Sequence, residues 1–484
     1  MNGIKRITKN ISLLFVGTAI SRFLAFIYFA YMVRYLGPAN YGIIAFALAL
    51  NGIFGVITNF GLDPLIVREV ARNKTIAKKY LSNGVALKIL FGLLTFLSIA
   101  LVVNIVGYPI VTKKVVYLIT ISTIIAAVNN IFYDIYQAFE QLEYKSLSQV
   151  ITSTFSLLLV FAAIIMNLNV IYFAIIYVFV GVIALGYNVV IVTLKFIKPK
   201  IEIDLKFWKE NLREAWPFAI SSVFVAIYFW IDSIMLSYMK GNEVVGVYNA
   251  AYRLVYLLLI IPGIYFQAVY PVLSKAYVSS LKKLKFIYIR SLKYFAILGI
   301  YIGIITILFG DKIILWIFGE QYLPSVPALK ILIWAVVMSF MAFSPYYTLN
   351  SINKQIIYTK ITALGALLNF VMNIYAILRW SYIGASVTTV ITEAFGFFAM
   401  FIYLKSNLRI SLTQNKWIIK LVFVIAISLL IYYLTSYLSQ NVWFLYLWYT
   451  FLYVTGIYFL KIIDKKDIEI IRSIIGRDKI DKTA

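Results

Sequence analysis

The sequence predicts an all-α, polytopic membrane protein of about 14 transmembrane helices, and three observations carry that prediction. Of the 484 residues, 63% are hydrophobic and the mean hydropathy is +0.92, against roughly 45 to 50% apolar usage in soluble domains. The apolar residues gather in blocks of about 20, such as 85–105 and 421–438, each long enough to cross hydrocarbon as a helix. Stretches such as 119–128 lack the sustained alternation of a membrane barrel strand. The solvent of this chain is lipid.

Taken in order, the predicted helices lie near 11–35, 41–62, 82–106, 115–138, 147–166, 170–194, 216–239, 244–272, 291–309, 327–350, 355–378, 382–404, 418–438 and 442–461. The first begins after Lys5, Arg6 and Lys9 and runs on without a small-residue cleavage site, so it reads as a retained span rather than a signal peptide. The joined blocks 147–194 and 355–404 are split at Asn167–Asn169 and Arg379–Ser381, where turn formers interrupt the apolar run.

The formal net charge is +25, which in a soluble protein would suggest nucleic acid. Here the basic residues sit in short loops between apolar blocks, and about 34 of the 44 Lys and Arg fall on one side of the predicted topology. The positive-inside rule makes that side cytoplasmic and places both termini there, with no nucleic-acid partner. The longest loop on the opposite side is expected at about 310–326. The segment 201–216 spaces Ile201, Leu205, Trp208, Leu212 and Trp216 at near-helical intervals among Lys206, Lys209, Glu210 and Arg213. It is expected to lie in the interface as an amphipathic helix.

An internal repeat suggests how the helices are grouped. Leu36-Gly37-Pro38-Ala39-Asn40-Tyr41-Gly42 and Lys240-Gly241-Asn242-Glu243-Val244-Val245-Gly246 occupy equivalent turns, entered from the same side, as in transporters with parallel repeats. The expected organisation is a six-helix lobe at 1–198, an amphipathic linker at 199–215, a second six-helix lobe at 216–404, two further helices within 405–461 and a basic cytoplasmic tail at 462–484.

The sequence contains neither cysteine nor histidine. That removes thiolate and imidazole metal sites, Cys nucleophiles and Ser-His-Asp triads. No large outer domain or Asp-x-Asp pair suggests a membrane glycosyltransferase or glycan polymerase, and no repeating charged ring suggests a channel. The expectation is a transporter with no catalytic residue, metal or cofactor.

Ionisable groups far from helix ends are the informative ones, because each costs about 2.5 to 3.5 kcal/mol at the bilayer centre on insertion scales. Four stand out: Arg22 about 16 Å into its helix, Arg253 about 15 Å, Asp232 about 10 Å and Glu393 about 16 Å, at 1.5 Å per residue. Arginine stays charged and grips phosphate bidentately, so Arg22 and Arg253 are the substrate-binding candidates. Asp232 and Glu393 are candidates for binding or titrating a coupling ion, Na⁺ or H⁺, or for serving as counter-ions. Lys88, Lys360 and Asp134 lie nearer the inner ends and are expected to snorkel. Arg34 and Arg379 are expected at the outer rim. Pro262-Gly263 and Pro345 interrupt backbone hydrogen bonding and are the hinge candidates. The 38 Tyr are expected to belong largely to interfacial belts.

The run Arg34-Tyr35-Leu36-Gly37-Pro38 at the end of 10–41, the stretch Gly246-Val247-Tyr248-Asn249-Ala250-Ala251-Tyr252-Arg253-Leu254 through Pro271-Val272-Leu273-Ser274, and Phe318-Gly319-Glu320-Gln321-Tyr322 followed by Ala328-Leu329-Lys330-Ile331-Leu332 resemble the polysaccharide-transporter family. That family holds flippases for O-antigen and related repeat units, within the superfamily that includes lipid II flippases and multidrug and toxin extruders. The resemblance implies two lobes in a V around a central cavity that opens alternately to each side. It also implies a lipid-linked oligosaccharide as cargo, on undecaprenyl or dolichyl phosphate or pyrophosphate. Glycan polymerases or glycosyltransferases are the expected partners. A multidrug or cation exporter of the same superfamily is the alternative; two central arginines favour an anionic cargo instead.

Overall fold

The computed structural model describes residues 3–198, 202–409, 417–437, 441–464 and 467, with side chains from Gly17 onward except that of Ser221. The side chains of Lys5, Arg6 and Lys9 lie outside the described residues, as do Ile201 and most of the basic tail at 462–484.

Among the described residues every regular element is helical, as lipid requires of a chain whose peptide groups must bond to one another. Twelve helices are long and apolar enough to cross a membrane. Two of them are hairpins of two spans each. The first, Gly3–Asn59, breaks at Gly37, with φ 71° and ψ 170°. Unbroken, it would reach about 85 Å at 1.5 Å per residue, nearly three times the hydrocarbon thickness. The rings of Phe29 and Tyr41 stand 5.8 Å apart, where twelve residues of straight helix would separate them by about 18 Å. The chain therefore reverses at Gly37, giving α1 (3–36) and α2 (38–59). Pro38 opens α2, where its missing N–H costs nothing.

The short amphipathic α3 (Leu62–Arg72) follows, then α4 (Ala77–Ile105), α5 (Ile110–Ala138), α6 (Leu142–Ile165) and α7 (Val170–Lys195). Asn167, at φ 53°, turns the chain between α6 and α7 where the turn was expected. Asn169 then caps α7 by accepting the Ile171 N–H.

α8 (Leu205–Lys240) is one helix through Pro217, so the amphipathic segment runs directly into the next span. Asp204 caps it, accepting the Phe207 N–H at 3.0 Å. Asn83 of α4 accepts both the Asp204 N–H and the Trp208 indole N–H at 2.8 Å. Lys79 and Asp204 pair at 2.7 Å, and the Lys79 ammonium, with the Phe207 amide, holds the Asp204 carboxyl below its usual range. Phe207, Trp208 and Leu212 pack on the core formed by Leu62, Ile66, Tyr80, Leu87, Ile131 and Ile135. Of the other positions on the predicted face, Leu205 and Trp216 are exposed.

Next come α9 (Asn242–Tyr256), a 3₁₀ turn at Leu257–Leu259 and α10 (Ile260–Ser279). Pro262 withholds an amide one turn further on, which accounts for the loosened winding. α11 (Leu281–Phe318) and a 3₁₀ segment, Glu320–Ser325, occupy most of the stretch expected to be a loop at 310–326. α12 (Val326–Ser351) continues through Pro345 without a break. The second hairpin, Gln355–Asn407, turns at Ser381, with φ 53° and ψ −137°. There a Cβ on Gly384 would stand 2.1 Å from the Ala376 carbonyl oxygen, so α13 (355–380) and α14 (382–407) are antiparallel neighbours. α15 (Trp417–Ser436) and α16 (Val442–Phe459) complete fourteen spans, α9 and α10 counting as one.

Two compact units divide the chain. Unit 1 comprises residues 1–250, 314–325 and 366–385, and unit 2 comprises 251–313, 326–365 and 386–484. In unit 2, α15 and α16 pack on α11 through Leu421, Val424, Tyr449, Tyr453 and Ile297, and the Tyr453 hydroxyl donates to the Ile297 carbonyl at 2.9 Å. Beyond α16, Asp467 is fully buried and accepts hydrogen bonds from Arg290, Lys293 and Tyr294. In unit 1, the two turns of the sequence repeat share a backbone conformation: Gly241 has φ 91° and ψ 167°, beside 71° and 170° at Gly37. They also touch. A Cβ on Gly42 would fall 1.7 Å from the Asn242 carbonyl oxygen, and one on Gly246 would fall 1.9 Å from that of Pro38.

Gly246→Ala must therefore push these backbones apart, and should cost about 1 to 3 kcal/mol, the usual range for overpacking. Gly186→Ala meets nothing within 4 Å and should stay within about 0.5 kcal/mol of wild type. Thermal denaturation of both variants in detergent checks this; equal melting temperatures would contradict the close approach.

Candidate functional site

Polar side chains that a membrane span tolerates are usually turned toward a partner or a wet chamber. In unit 1 they line a cavity of about 590 Å³. α2 contributes Asn51, Thr58 and Asn59, the start of α3 contributes Asp63, α5 contributes Thr123 and Asn130, and α8 contributes Phe218 and Ser222. Local sequence explains the space. Gly52 and Gly55 place no side chain on the α2 wall, and a Cβ at Gly52 would lie 2.3 Å from the Trp230 indole nitrogen. Gly61, at φ 71°, turns the chain between α2 and α3.

Most polar side chains of the wall already bond within the protein: the Thr123 hydroxyl donates to the Ile119 carbonyl and the Ser222 hydroxyl to the Phe218 carbonyl, each at 2.9 Å. The Asn51 amide donates to the Ala47 carbonyl at 2.9 Å, while its oxygen is buried with no partner among the described residues; the residue is 4% exposed. In the wall and behind it, polar groups satisfy one another. Thr58 and Thr95 hydroxyls bond at 2.8 Å, and Asn129 receives the Asn188 amide at 2.8 Å while donating to the Gly181 carbonyl at 3.1 Å.

One charged pair is built into this wall. Lys88 of α4 is 0% exposed, donating to Asn59 Oδ1 at 2.9 Å and forming an ion pair with Asp63 Oδ1. The Asp63 side chain keeps 31% exposure. It also lies in the first turn of α3, where the helix dipole favours a carboxylate. The expectation that Lys88 snorkels is thus corrected: its stem turns inward because a carboxylate and an amide meet it there. Asp134 of α5, also expected to snorkel, is 8% exposed, and its Oδ2 has no hydrogen-bond partner among the described residues.

The predicted site residues are distributed as follows. In unit 1, Arg22 is exposed on α1 and is not part of the cavity wall. Asp232 of α8 is 4% exposed and accepts the Tyr248 hydroxyl at 2.8 Å and the Asn373 amide at 2.6 Å. Asn373 also donates to Asn369 at 3.0 Å, so this carboxylate is held in a set of buried amides. In unit 2, Arg253 is half-buried on α9. Glu393 of α14 is half-buried too, accepting from Ser339 at 2.6 Å and Tyr256 at 3.3 Å. The Tyr256 ring stacks on Tyr252 at 4.2 Å. Each predicted acid therefore sits among hydroxyl or amide donors. Pro262 adjoins the 3₁₀ turn and Gly263 has open space around it, whereas Pro345 lies in unbroken helix. Lys360, Arg34 and Arg379 are exposed, as expected of end residues, and Arg379 lies over the Tyr375 ring at 5.9 Å.

Sequence reasoning passed over the cavity amides. Asn51, Asn59 and Asn130 stand inside apolar blocks, which was the available signal; weighting only ionisable groups missed it. No cluster of three or more acidic groups able to hold a metal ion occurs among the described residues.

The fold that carries this site is that of multi-pass membrane transporters. It is similar to a lipid II flippase, MurJ, in an inward closed conformation, with TM-score 0.73 and 17% identity over 93% of this chain and 98% of that one. It is also similar to an inward-facing multidrug resistance MATE transporter, with TM-score 0.65 and 16% identity over 82% and 99% of the two chains. The family described as polysaccharide biosynthesis protein matches residues 7–277, more than half of the chain. The protein belongs to that family, as the sequence resemblance implied. The MatE family matches residues 217–375. A putative O-antigen transporter of Shigella dysenteriae is 27% identical over 388 residues, covering 78% of this chain and 94% of the relative. An uncharacterized membrane protein of Methanocaldococcus jannaschii is 29% identical over 293 residues, where the chain spans 56% of that relative's length.

Asp63→Leu leaves the buried Lys88 ammonium unpaired and should cost about 3 to 5 kcal/mol, as broken buried pairs do. Asp63→Leu with Lys88→Met should recover most of that loss. Thermal unfolding of the single and double variants decides: equal destabilisation would mean that the pair does not hold α4 to α3.

Proposed function

We propose that this chain is a flippase that carries a lipid-linked oligosaccharide from the inner to the outer leaflet of the plasma membrane, by alternating access, for cell-surface glycan assembly. It acts as a transporter rather than an enzyme. Membership of the polysaccharide biosynthesis protein family supports the class of function, and the relative named a putative O-antigen transporter supports the class of cargo. The observation that carries the reading is the cavity of amides and hydroxyls inside membrane-spanning helices, with the unpartnered Asn51 oxygen in its wall. Sugar hydroxyls both donate and accept, and amides answer both demands without charge.

On this reading residues 1–198 and 216–404 are the two six-helix lobes, the termini are cytoplasmic and the Lys-rich loops face the cytoplasm. The sugar occupies the cavity, the polyprenyl tail stays in lipid, and Arg22 and Arg253 meet the phosphate or pyrophosphate. Outward movement of an anion is also favoured by an inside-negative potential, by about 2.3 kcal/mol per charge per 100 mV. Asp232 and Glu393 are the proposed ion-coupling groups, Asp232 being the better supported because amide and phenol donors already organise its carboxylate. Pro262 and Gly263, beside the 3₁₀ turn, are the preferred hinge; Pro345 is the weaker candidate.

A multidrug exporter is the second reading, favoured by the MatE match at 217–375. Reconstitution separates the two. With a fluorescent polyprenyl-pyrophosphate oligosaccharide, wild type should translocate the lipid, Arg22→Ala and Arg253→Ala should lose translocation while still folded, and Asn51→Leu should weaken cargo affinity by about tenfold, roughly one or two hydrogen bonds. Dye efflux without lipid translocation would replace the flippase reading with the exporter one.

A further inference from the structure

The Lys88 ammonium has three N–H groups, of which Asn59 and Asp63 take two. Asp134 of α5 has a carboxyl oxygen that is buried and unpartnered among the described residues. Lys88, Asp63 and Lys145 are the charges that act on it. A bare carboxylate oxygen shut away from water is among the most costly groups a protein can bury; a carboxylic acid is far cheaper, and so is a carboxylate that reaches an ammonium.

The surroundings provide for both states. α3 brings Asp63; its Arg68 is committed to Glu69 and Glu214. α4 brings Lys88. α6 brings Lys145, which lies 5.7 Å from the Tyr133 ring. α7 contributes Asn188, bonded to Asn129 and Tyr136, and Tyr187, a neutral phenol at physiological pH. α2 contributes Asn59, which is not titratable. With Asp134 protonated, the cluster of Asp63, Lys88 and Asp134 is formally neutral. Once the proton leaves, it carries one net negative charge, and Lys88 has one N–H beyond those given to Asn59 and Asp63.

We propose that Asp134 is a proton-binding site behind the unit 1 cavity, and that Lys88 passes its protonation state to Asp63 and Asn59 on the cavity wall. A proton arriving at Asp134 releases Lys88 to those two residues. Its departure draws the ammonium toward α5 and loosens both. The site is separate from Asp232 and Glu393. Its coupling role rests on the transport reading of the cavity, whereas proton binding does not.

The test is an infrared titration of the full chain in liposomes, from mildly acidic to mildly alkaline buffer, read at the carbonyl stretch of a protonated carboxyl and checked by its shift in D₂O. Wild type should show a band that disappears on alkalinisation. Asp134→Asn should lack it, Asp134→Glu should move it, and Asp232→Asn should keep it. Lys88→Gln should displace its titration midpoint. A band unaltered in both Asp134 variants, or absent from wild type, overturns the proton site. An unmoved midpoint in Lys88→Gln overturns the relay through Lys88. No cargo is present, so failure here leaves the flippase reading standing, and a failed translocation assay leaves the proton site standing.

Discussion

Hydrocarbon offers peptide groups no partner, and this constraint governs where the chain departs from helix. An unsatisfied N–H or C=O in lipid costs several kcal/mol, so breaks belong at span ends or where protein covers them. Gly37, Asn167, Gly241 and Ser381 sit at span ends, each with positive φ. The 3₁₀ turn at Leu257–Leu259 is different: it interrupts a pass that continues from α9 into α10. Pro262 supplies the local reason, since it cannot donate to the preceding turn. Pro345 shows that a proline alone is insufficient. There α12 stays regular, fixed by the Ser344 hydroxyl on the Tyr288 carbonyl at 2.9 Å and by the Thr348 hydroxyl on the Ser344 carbonyl.

Helices that are equally apolar on all sides gain little from hydrophobic burial against one another in lipid, so close packing and polar contacts must join them. Small residues do this in unit 1. Gly42 and Gly246 bring two helix starts within backbone contact, and near them the Ser325 hydroxyl donates to the Val247 carbonyl and that of Tyr322 to the Val33 carbonyl. Asn83, taking two donors from the start of α8, does the same at the Lys-rich end. Polar atoms in this fold are thus the joints between apolar rods.

That division explains what the sequence could reveal. Length and hydropathy report each rod singly, so the span count and the splits at Asn167 and Ser381 were legible. The repeat was legible too, because Gly37 and Gly241 are needed for a conformation that residues with a Cβ rarely adopt. What a rod packs against leaves a weaker mark. The periodic face of Leu205, Trp208, Leu212 and Trp216 was visible, but nothing local shows that Trp208 and Leu212 pack on protein while Leu205 and Trp216 stay exposed. Lys88 and Asp134 were misread for the same reason. Distance from a helix end predicts snorkelling only when no partner waits inside, and Asn59 and Asp63 arrive from elsewhere in the chain.

The chemistry of the cavity bears on how a flippase could release what it binds. A wall of unpaired arginines would hold a phosphate strongly, and strong holding slows departure. Amides exchange bonds to water for bonds to hydroxyls at a net gain of only about 0.5 to 1.5 kcal/mol each, so a sugar loses little affinity when the site reopens. The one carboxylate in the wall, Asp63, is already neutralised by Lys88 from behind, which keeps the chamber from repelling an anionic head group. On the proposed reading, selectivity then comes from many weak contacts in unit 1. On the same reading Arg22, exposed and outside that wall, attracts phosphate without trapping the sugar.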